Sequence, residues 1–346
     1  MRPATEIVQL EHSPDDPYAP LSTPIYQTAT FAQPSALEFG RYDYSRSGNP
    51  TRAALETHLA RLERAPRAFA YASGMAALQA VGSLVAPGET LLAGDDLYGG
   101  TYRLLTQVLE ARGVKIVFAD LANPEKASQA LSARPSLVLV ETPTNPLLRI
   151  VDLRRLAEHA HRAGALVAVD ASLLSPYLMR PLELGADLVI HSATKALGGH
   201  SDLTAGVVAA RDPAICEKLA FRQNAEGVAL GPFDSWLLLR GIKTLGLRLD
   251  RQQANAQRLA ELLSRHPSVR RVRFPGLADH PGAALHRDQA AGPGAVLSFE
   301  TGSLESSRRV VESLRLFRIA VSFGSVISTA SLPCRMSHAS IPESVR

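Results

Sequence analysis

A lysine behind two hydroxyls is the part of this sequence best suited to chemistry. Ser192-Ala193-Thr194-Lys195 follows the apolar run Asp187-Leu188-Val189-Ile190, and Gly198-Gly199-His200-Ser201 comes next. A short apolar run bounded by turn residues reads as a buried strand. Lysine occurs only at positions 115, 126, 195, 218 and 243, and Lys195 alone stands at the end of such a strand. A desolvated ammonium gives up its proton more readily, and the free amine attacks an aldehyde. Ser192 and Thr194 have the size and polarity to hold a phosphate. Together they suit an aldehyde that carries a phosphate. A lysine on a solvated loop is the plain alternative, and the rest of the chain has to decide.

Pyridoxal 5'-phosphate (PLP) is the cofactor with that chemistry. It asks a protein for a lysine, a phosphate cup, a carboxylate at the pyridine nitrogen and a group against the ring face. Ser73-Gly74-Met75 opens a helix and offers N–H groups to a phosphate, although such a triplet also serves as a plain packing turn. Asp170 ends the apolar run Ala165 to Asp170 and can pair with a protonated ring nitrogen, its alternative being a turn aspartate. Tyr98, on a glycine-flanked turn, can stack on the ring or pack in the core. Tyr44 and Arg46 offer charge-assisted bonds to the phosphate, or are surface residues of an arm. Asn145, in Glu141-Thr-Pro-Thr-Asn-Pro146, follows another strand-like run.

The elements that must position these residues follow from hydrophobic pattern. Residues 1–47 are rich in Pro, Ser, Thr and Tyr and read as an extended arm. Asn49 can cap a helix that Pro50 begins and that runs to Leu62. Strand-like runs at 68–71, 89–93, 114–119, 136–141, 165–170 and 187–190 alternate with helix-like stretches. That alternation predicts an α/β fold with a mostly parallel sheet covered by helices on both faces. Ligands collect at the carboxyl ends of such strands, where Glu141, Asn145, Asp170, Ser192, Thr194 and Lys195 fall. A long helix from Ser235 to about 264, kinked near Gly241 or Gly246, links to a smaller α+β region with strands near 269–274, 295–299 and 319–321. The expected division is an arm over 1–47, a cofactor domain over 48–244 and a C-terminal domain over 245–346.

Composition excludes several classes. The net charge of +4 comes from scattered arginines, with no basic run interleaved with aromatics, so nucleic acid is not the expected partner. Two cysteines, Cys216 and Cys334, make neither a disulfide framework nor a metal site. No stretch is apolar and long enough to span a membrane. A cytoplasmic setting is expected, or a plastid one if a leader has been removed.

The ordered set YSRSGNPT, SGMAA, DDLYGGTYR, ETPTNP, VD, HSATK and GHSD resembles the PLP-dependent transsulfuration (Cys/Met metabolism) enzymes over essentially the whole chain. The resemblance implies the fold-type-I architecture of PLP-dependent transferases, with a sheet of the seven-stranded type, and a homotetramer built from two tight dimers. It assigns the Schiff-base role to Lys195, the pyridinium partner to Asp170 and ring stacking to Tyr98. It assigns phosphate binding to Gly74, Met75, Ser192 and Thr194, with Tyr44 and Arg46 reaching the neighbouring subunit's site. Asn145 becomes a cofactor and substrate-carboxylate neighbour, and Ser328 a substrate-side residue.

Within the family, QNAEGVALGPFDSWLLLRGIKT and AVSFGSVISTASLPCRMSHASIP resemble the β-eliminating members of the plant-like type that cleave cystathionine. Relatives acting at the γ-carbon typically carry a glutamate where Ile327 stands, and methionine-cleaving ones a cysteine where Gly100 stands. The γ-acting enzymes stay the alternative. A PLP-binding but catalytically impaired partner subunit is an alternative of another class. Two departures bear on function. Ala171 stands where the family often has asparagine, so a local hydrogen bond is expected to be lost. Family members also continue beyond the position of Arg346 with an arginine that clamps the substrate carboxylate. A chain ending there is expected to show an open sheet edge and a weakened substrate site.

Overall fold

A computed structural model describes residues 2–10 and 18–339. Seven strands form the central sheet: β1 (Arg67–Tyr71), β2 (Thr90–Gly94), β3 (Lys115–Ala119), β4 (Leu137–Glu141), β5 (Leu166–Asp170), β6 (Leu188–Ser192) and β7 (Gly206–Ala210). Their order across the sheet is β1-β7-β6-β5-β4-β2-β3. All neighbours are parallel except β7, which runs antiparallel to both β1 and β6. Strands β4 and β7 are buried along their whole length, as a sheet covered on both faces requires.

One face packs under the helices Pro50–Glu63 and Leu153–Arg162. The other packs under Gly74–Gly82 and Pro213–Ala225. Helix starts follow local chemistry. Asn49 accepts from the N–H groups of Thr51 and Arg52, with Pro50 in the first turn. Ser73 Oγ accepts from Ala76 N at 3.1 Å.

Several elements depart from expectation. The helical stretch between β2 and β3 starts at Gly99, widens into π-type turns at Leu104–Leu109 and tightens at Glu110–Arg112. It ends at Gly113, whose φ of 88° only glycine adopts freely. The long helix is two helices, Pro232–Ile242 and Leu245–Ser264. The break falls where Gly241 lies on the Gly198 carbonyl, a contact that leaves no room for a Cβ. Strand β7 and the helix Pro213–Ala225 were not singled out from pattern. In the C-terminal part Arg271–Arg273 pairs antiparallel with Ser298–Glu300, and Arg318–Ile319 pairs parallel with Thr329–Ala330. These strands are shorter than their apolar runs.

Candidate active site

The carboxyl ends of β2, β4, β5 and β6 lie along one edge of the sheet, with Glu141 beside Asp170 in register. Lys195 sits on the turn after β6. Its backbone N–H donates to Ser192 O at 3.0 Å, and Gly199 N closes the turn onto Lys195 O at 2.8 Å. Arg248 braces this turn from the helix Leu245–Ser264, donating to Ala196 O at 2.8 Å and to Gly241 O at 2.9 Å. Burial lowers the Lys195 ammonium below its usual range, while Asp170 pulls the other way. A lysine so placed has more free amine at neutral pH than one in water.

The Lys195 ammonium donates to Ser322 Oγ at 2.8 Å and lies 5.2 Å from the centre of the Phe323 ring. Ser322 has a φ of 94°, so the backbone there is strained for a residue with a Cβ. The segment is pinned on both sides. Val326 N donates to Gly199 O at 3.0 Å, and Gln252 donates to Ser325 O at 3.0 Å. Gly324 packs on the backbone of Ala196, where a Cβ would lie 2.5 Å from Ala196 N. Ser322 went unnoticed in the sequence because it lies 127 positions from Lys195 and is joined to it only by tertiary folding. Ser328 is exposed, and its carbonyl accepts from Arg318 N. Its hydroxyl does not bond Lys195.

Asp170 Oδ1 accepts twice from Ser172, from Oγ at 2.6 Å and from N at 3.0 Å. The same Ser172 hydroxyl accepts from Ser192 N at 2.6 Å. Ser172 therefore supplies a local bond at the position next to Ala171, where one was expected to be missing. A hydroxyl two residues after a carboxylate is a recurrent turn device, and that signal was present in Asp170-Ala171-Ser172. Burial pushes the Asp170 carboxyl up, and the Ser172 bonds, His191 and Lys195 pull it back.

Gly74 lies against Ser192, where a Cβ would sit 2.8 Å from Ser192 Cβ. Thr194 Oγ1 exchanges bonds with the Ala205 backbone at 3.0 and 3.3 Å. Tyr98 and Met75 both crowd Gly100. A side chain there would strike the Tyr98 ring and come within 3.0 Å of Met75 Sδ. Tyr98 N and Asn145 N both donate to Glu141, at 3.1 and 2.8 Å. His338 Nε2 donates to Asn145 O at 2.7 Å, and its ring meets Tyr98 edge-on at 6.5 Å. Only donation suits a carbonyl, so Nε2 carries the proton. The structure thus gathers Gly74, Met75, Tyr98, Asn145, Asp170, Ser192, Thr194 and Lys195 along one sheet edge. It does not bring Tyr44 and Arg46 there. Arg46 instead bonds Asn224 O at 2.8 Å and lies 5.5 Å from the Tyr44 ring centre.

A mostly parallel sheet with a desolvated lysine and a buried carboxylate at its carboxyl edge defines an enzyme of carbonyl-cofactor chemistry. The chain belongs to the Cys/Met metabolism PLP-dependent enzyme family, whose family model matches residues 4–346. It is 54% identical over 343 residues to a chloroplastic cystathionine beta-lyase of Arabidopsis thaliana, covering 99% of this chain and 74% of that one. It is 50% identical over 345 residues to a cystathionine beta-lyase of Neurospora crassa, covering 99% and 75%. Cystathionine gamma synthase of Xanthomonas oryzae pv. oryzae, solved in complex with aminoacrylate and cysteine, superposes with a TM-score of 0.97 at 43% identity, covering 100% of this chain and 90% of that one.

The residues present fit PLP. Both Ser172 bonds go to Asp170 Oδ1, which leaves Oδ2 for a protonated ring nitrogen. The lysine is desolvated, and a glycine without a side chain abuts the Ser192 hydroxyl, where a phosphate needs room.

Proposed function

We propose that this protein is a PLP-dependent carbon–sulfur lyase that cleaves the Cβ–S bond of L-cystathionine, giving homocysteine, pyruvate and ammonia. The observation that carries the reading is the 54% and 50% identity to two cystathionine beta-lyases over 99% of the chain. Lys195 would hold the cofactor aldehyde and Asp170 Oδ2 its ring nitrogen. Tyr98 would lie on the ring, with Asn145 at its edge. The N–H groups at Gly74 and Met75, with the Ser192 and Thr194 hydroxyls, would take the phosphate at a helix N-terminus.

When bound, PLP supplies the electron sink that makes a Cα proton removable. The freed Lys195 amine is the base for that proton, and its lowered pKa suits it to the task near neutral pH. Ser322, within 2.8 Å, orients the amine between transfers. As the Cβ–S bond breaks, Lys195 returns the proton to the departing sulfur, with the Tyr98 phenol as a second proton carrier. Ser328 faces substrate, and Tyr44 and Arg46 complete the site of a neighbouring subunit in a dimer of dimers. The break between the helices Pro232–Ile242 and Leu245–Ser264 supports a division into an arm over 1–47, a cofactor domain over 48–244 and a C-terminal domain over 245–346, with the helix Pro3–Val8 as the docked start of the arm. The compartment is cytoplasmic or, as for the chloroplastic Arabidopsis relative, plastid. Among the described residues no helix is long and apolar enough to cross a membrane.

A γ-acting enzyme is the second reading, supported by the Xanthomonas synthase's TM-score of 0.97. Ile327, 52% exposed on the segment that carries Ser322, argues against it, because an apolar side chain makes no polar contact to substrate. The test is to give L-cystathionine to the PLP-loaded protein and identify the keto acid. Pyruvate with homocysteine is expected. 2-Oxobutyrate with cysteine would overturn the reading in favour of γ-cleavage. Bound PLP with neither keto acid would leave the impaired-subunit alternative.

A further inference from the structure

Glu141 is a buried carboxylate outside the set of groups assigned to the cofactor, and the site is built around it. It ends β4 with 9% of its surface exposed. One oxygen, Oε2, accepts from Tyr98 N at 3.1 Å, and the other, Oε1, accepts from Asn145 N at 2.8 Å. Tyr98 lies on the turn after β2 and Asn145 on the turn after β4, so the two N–H groups come from separate loops. Asp170 sits beside Glu141 in strand register. Burial, with Asp170 and then Asp96 as like charges, pushes the Glu141 carboxyl well above its usual range, and the two N–H bonds oppose that push. A group that costly to keep in place needs both donors. The other side of the same two loops is held by His338, through Asn145 O and the Tyr98 ring.

We propose that Glu141 is a positioning residue, a two-pronged tie that sets the distance between the Tyr98 turn and the Asn145 turn. Its work is to keep the ring-facing phenol and the edge-facing amide in fixed relation to the cofactor ring. This rests on the cofactor placement proposed above and adds a residue that acts through two others. Glutamine has the same shape but one acceptor oxygen, and its NH2 faces one of the two N–H groups. Glu141→Gln should therefore release one loop and leave the other tied. Alanine releases both.

The experiment compares PLP-loaded wild type, Glu141→Gln and Glu141→Ala at saturating PLP. Glu141→Gln is expected to lose about tenfold in kcat/KM, mainly in kcat, and Glu141→Ala about a hundredfold. Both are expected to weaken PLP retention in dialysis and to reduce the visible circular dichroism of bound PLP. The thermal midpoint of Glu141→Gln should stay near wild type. A Glu141→Gln enzyme within twofold of wild type in kcat/KM, with unchanged dichroism and retention, would overturn the proposal. If Glu141→Ala does not fold, Glu141→Gln decides alone. If wild type releases no keto acid from L-cystathionine, the substrate reading fails, and dichroism and retention still decide on Glu141.

Discussion

Lys195 was legible because its neighbours in sequence already state its environment: an apolar strand before it, hydroxyls beside it, glycines after it. Asp170 was legible as the end of an apolar strand. What the sequence could not display were partners brought in by folding. Ser322 reaches Lys195 from 127 positions away, and His338 reaches Asn145 from 193 away. Ser172 is different, because its bond to Asp170 is local and readable in Asp170-Ala171-Ser172. Lys195→Ala removes the amine that the turn after β6 places at this edge. The variant is expected to lose the visible absorption of protein-bound PLP and all keto-acid release, with a wild-type far-ultraviolet spectrum. Retention of covalently bound, absorbing PLP after dialysis would show that another lysine holds the cofactor.

At the scale of elements, apolar runs located six of the seven strands, and the Asn49 cap located the start of the helix Pro50–Glu63. Strand β7 was missed because Gly206-Val-Val-Ala-Ala210 is small, weakly patterned and follows the glycine-rich lysine turn. Its position also needs glycine: a side chain at Gly206 would strike the Ser73 carbonyl at the start of the helix Gly74–Gly82. A second element-level feature is the seat of the N-terminal helix Pro3–Val8 on the helix Pro50–Glu63. His58 Nε2 bonds Ile7 O at 3.0 Å, and Arg61 donates to His58 Nδ1 at 3.2 Å. A ring that donates at one nitrogen and accepts at the other is neutral. Burial, then the charge of Arg61, pushes its pKa down from 6.5 to about 4. The unfolded chain therefore takes up a proton below pH 6.5 that the folded chain refuses until about pH 4. Stability falls across that window as pH drops, by about 1.4 kcal/mol per pH unit from this group. His58→Gln keeps a neutral donor and acceptor and is expected to flatten the urea-unfolding stability curve by that slope. Equal slopes for the two proteins between pH 6 and 4.5 would rule the histidine out as the acid-sensitive seat.

At the scale of the molecule, strand alternation announced a mostly parallel sheet, but the order β1-β7-β6-β5-β4-β2-β3 was not readable. Pairing is settled by long-range burial that local pattern does not encode. The arm poses the sharper whole-molecule question. Leu21 and Leu37 are each 92% exposed and Phe39 73%, a set of apolar side chains that a lone chain gains nothing by presenting to water. On the same arm, Arg46 bonds Asn224 and lies over the Tyr44 ring, away from the Lys195 cluster. The second copy proposed above would remove both difficulties at once, since covering the arm would bury the apolar residues and bring Arg46 to a phosphate. Arg46→Ala is then expected to weaken PLP retention, while Lys195→Ala abolishes turnover in its own site only. Mixing the two variants under conditions that exchange subunits gives hybrid dimers. In each hybrid one site joins an intact Lys195 from one chain to an intact Arg46 from the other. With random exchange, half of the dimers are hybrid and half of their sites are whole, so activity at limiting PLP should rise to about a quarter of wild type. If Arg46 serves its own chain, every site stays defective and mixing gains nothing. The size of the recovery therefore measures directly whether the active site is built by one chain or by two.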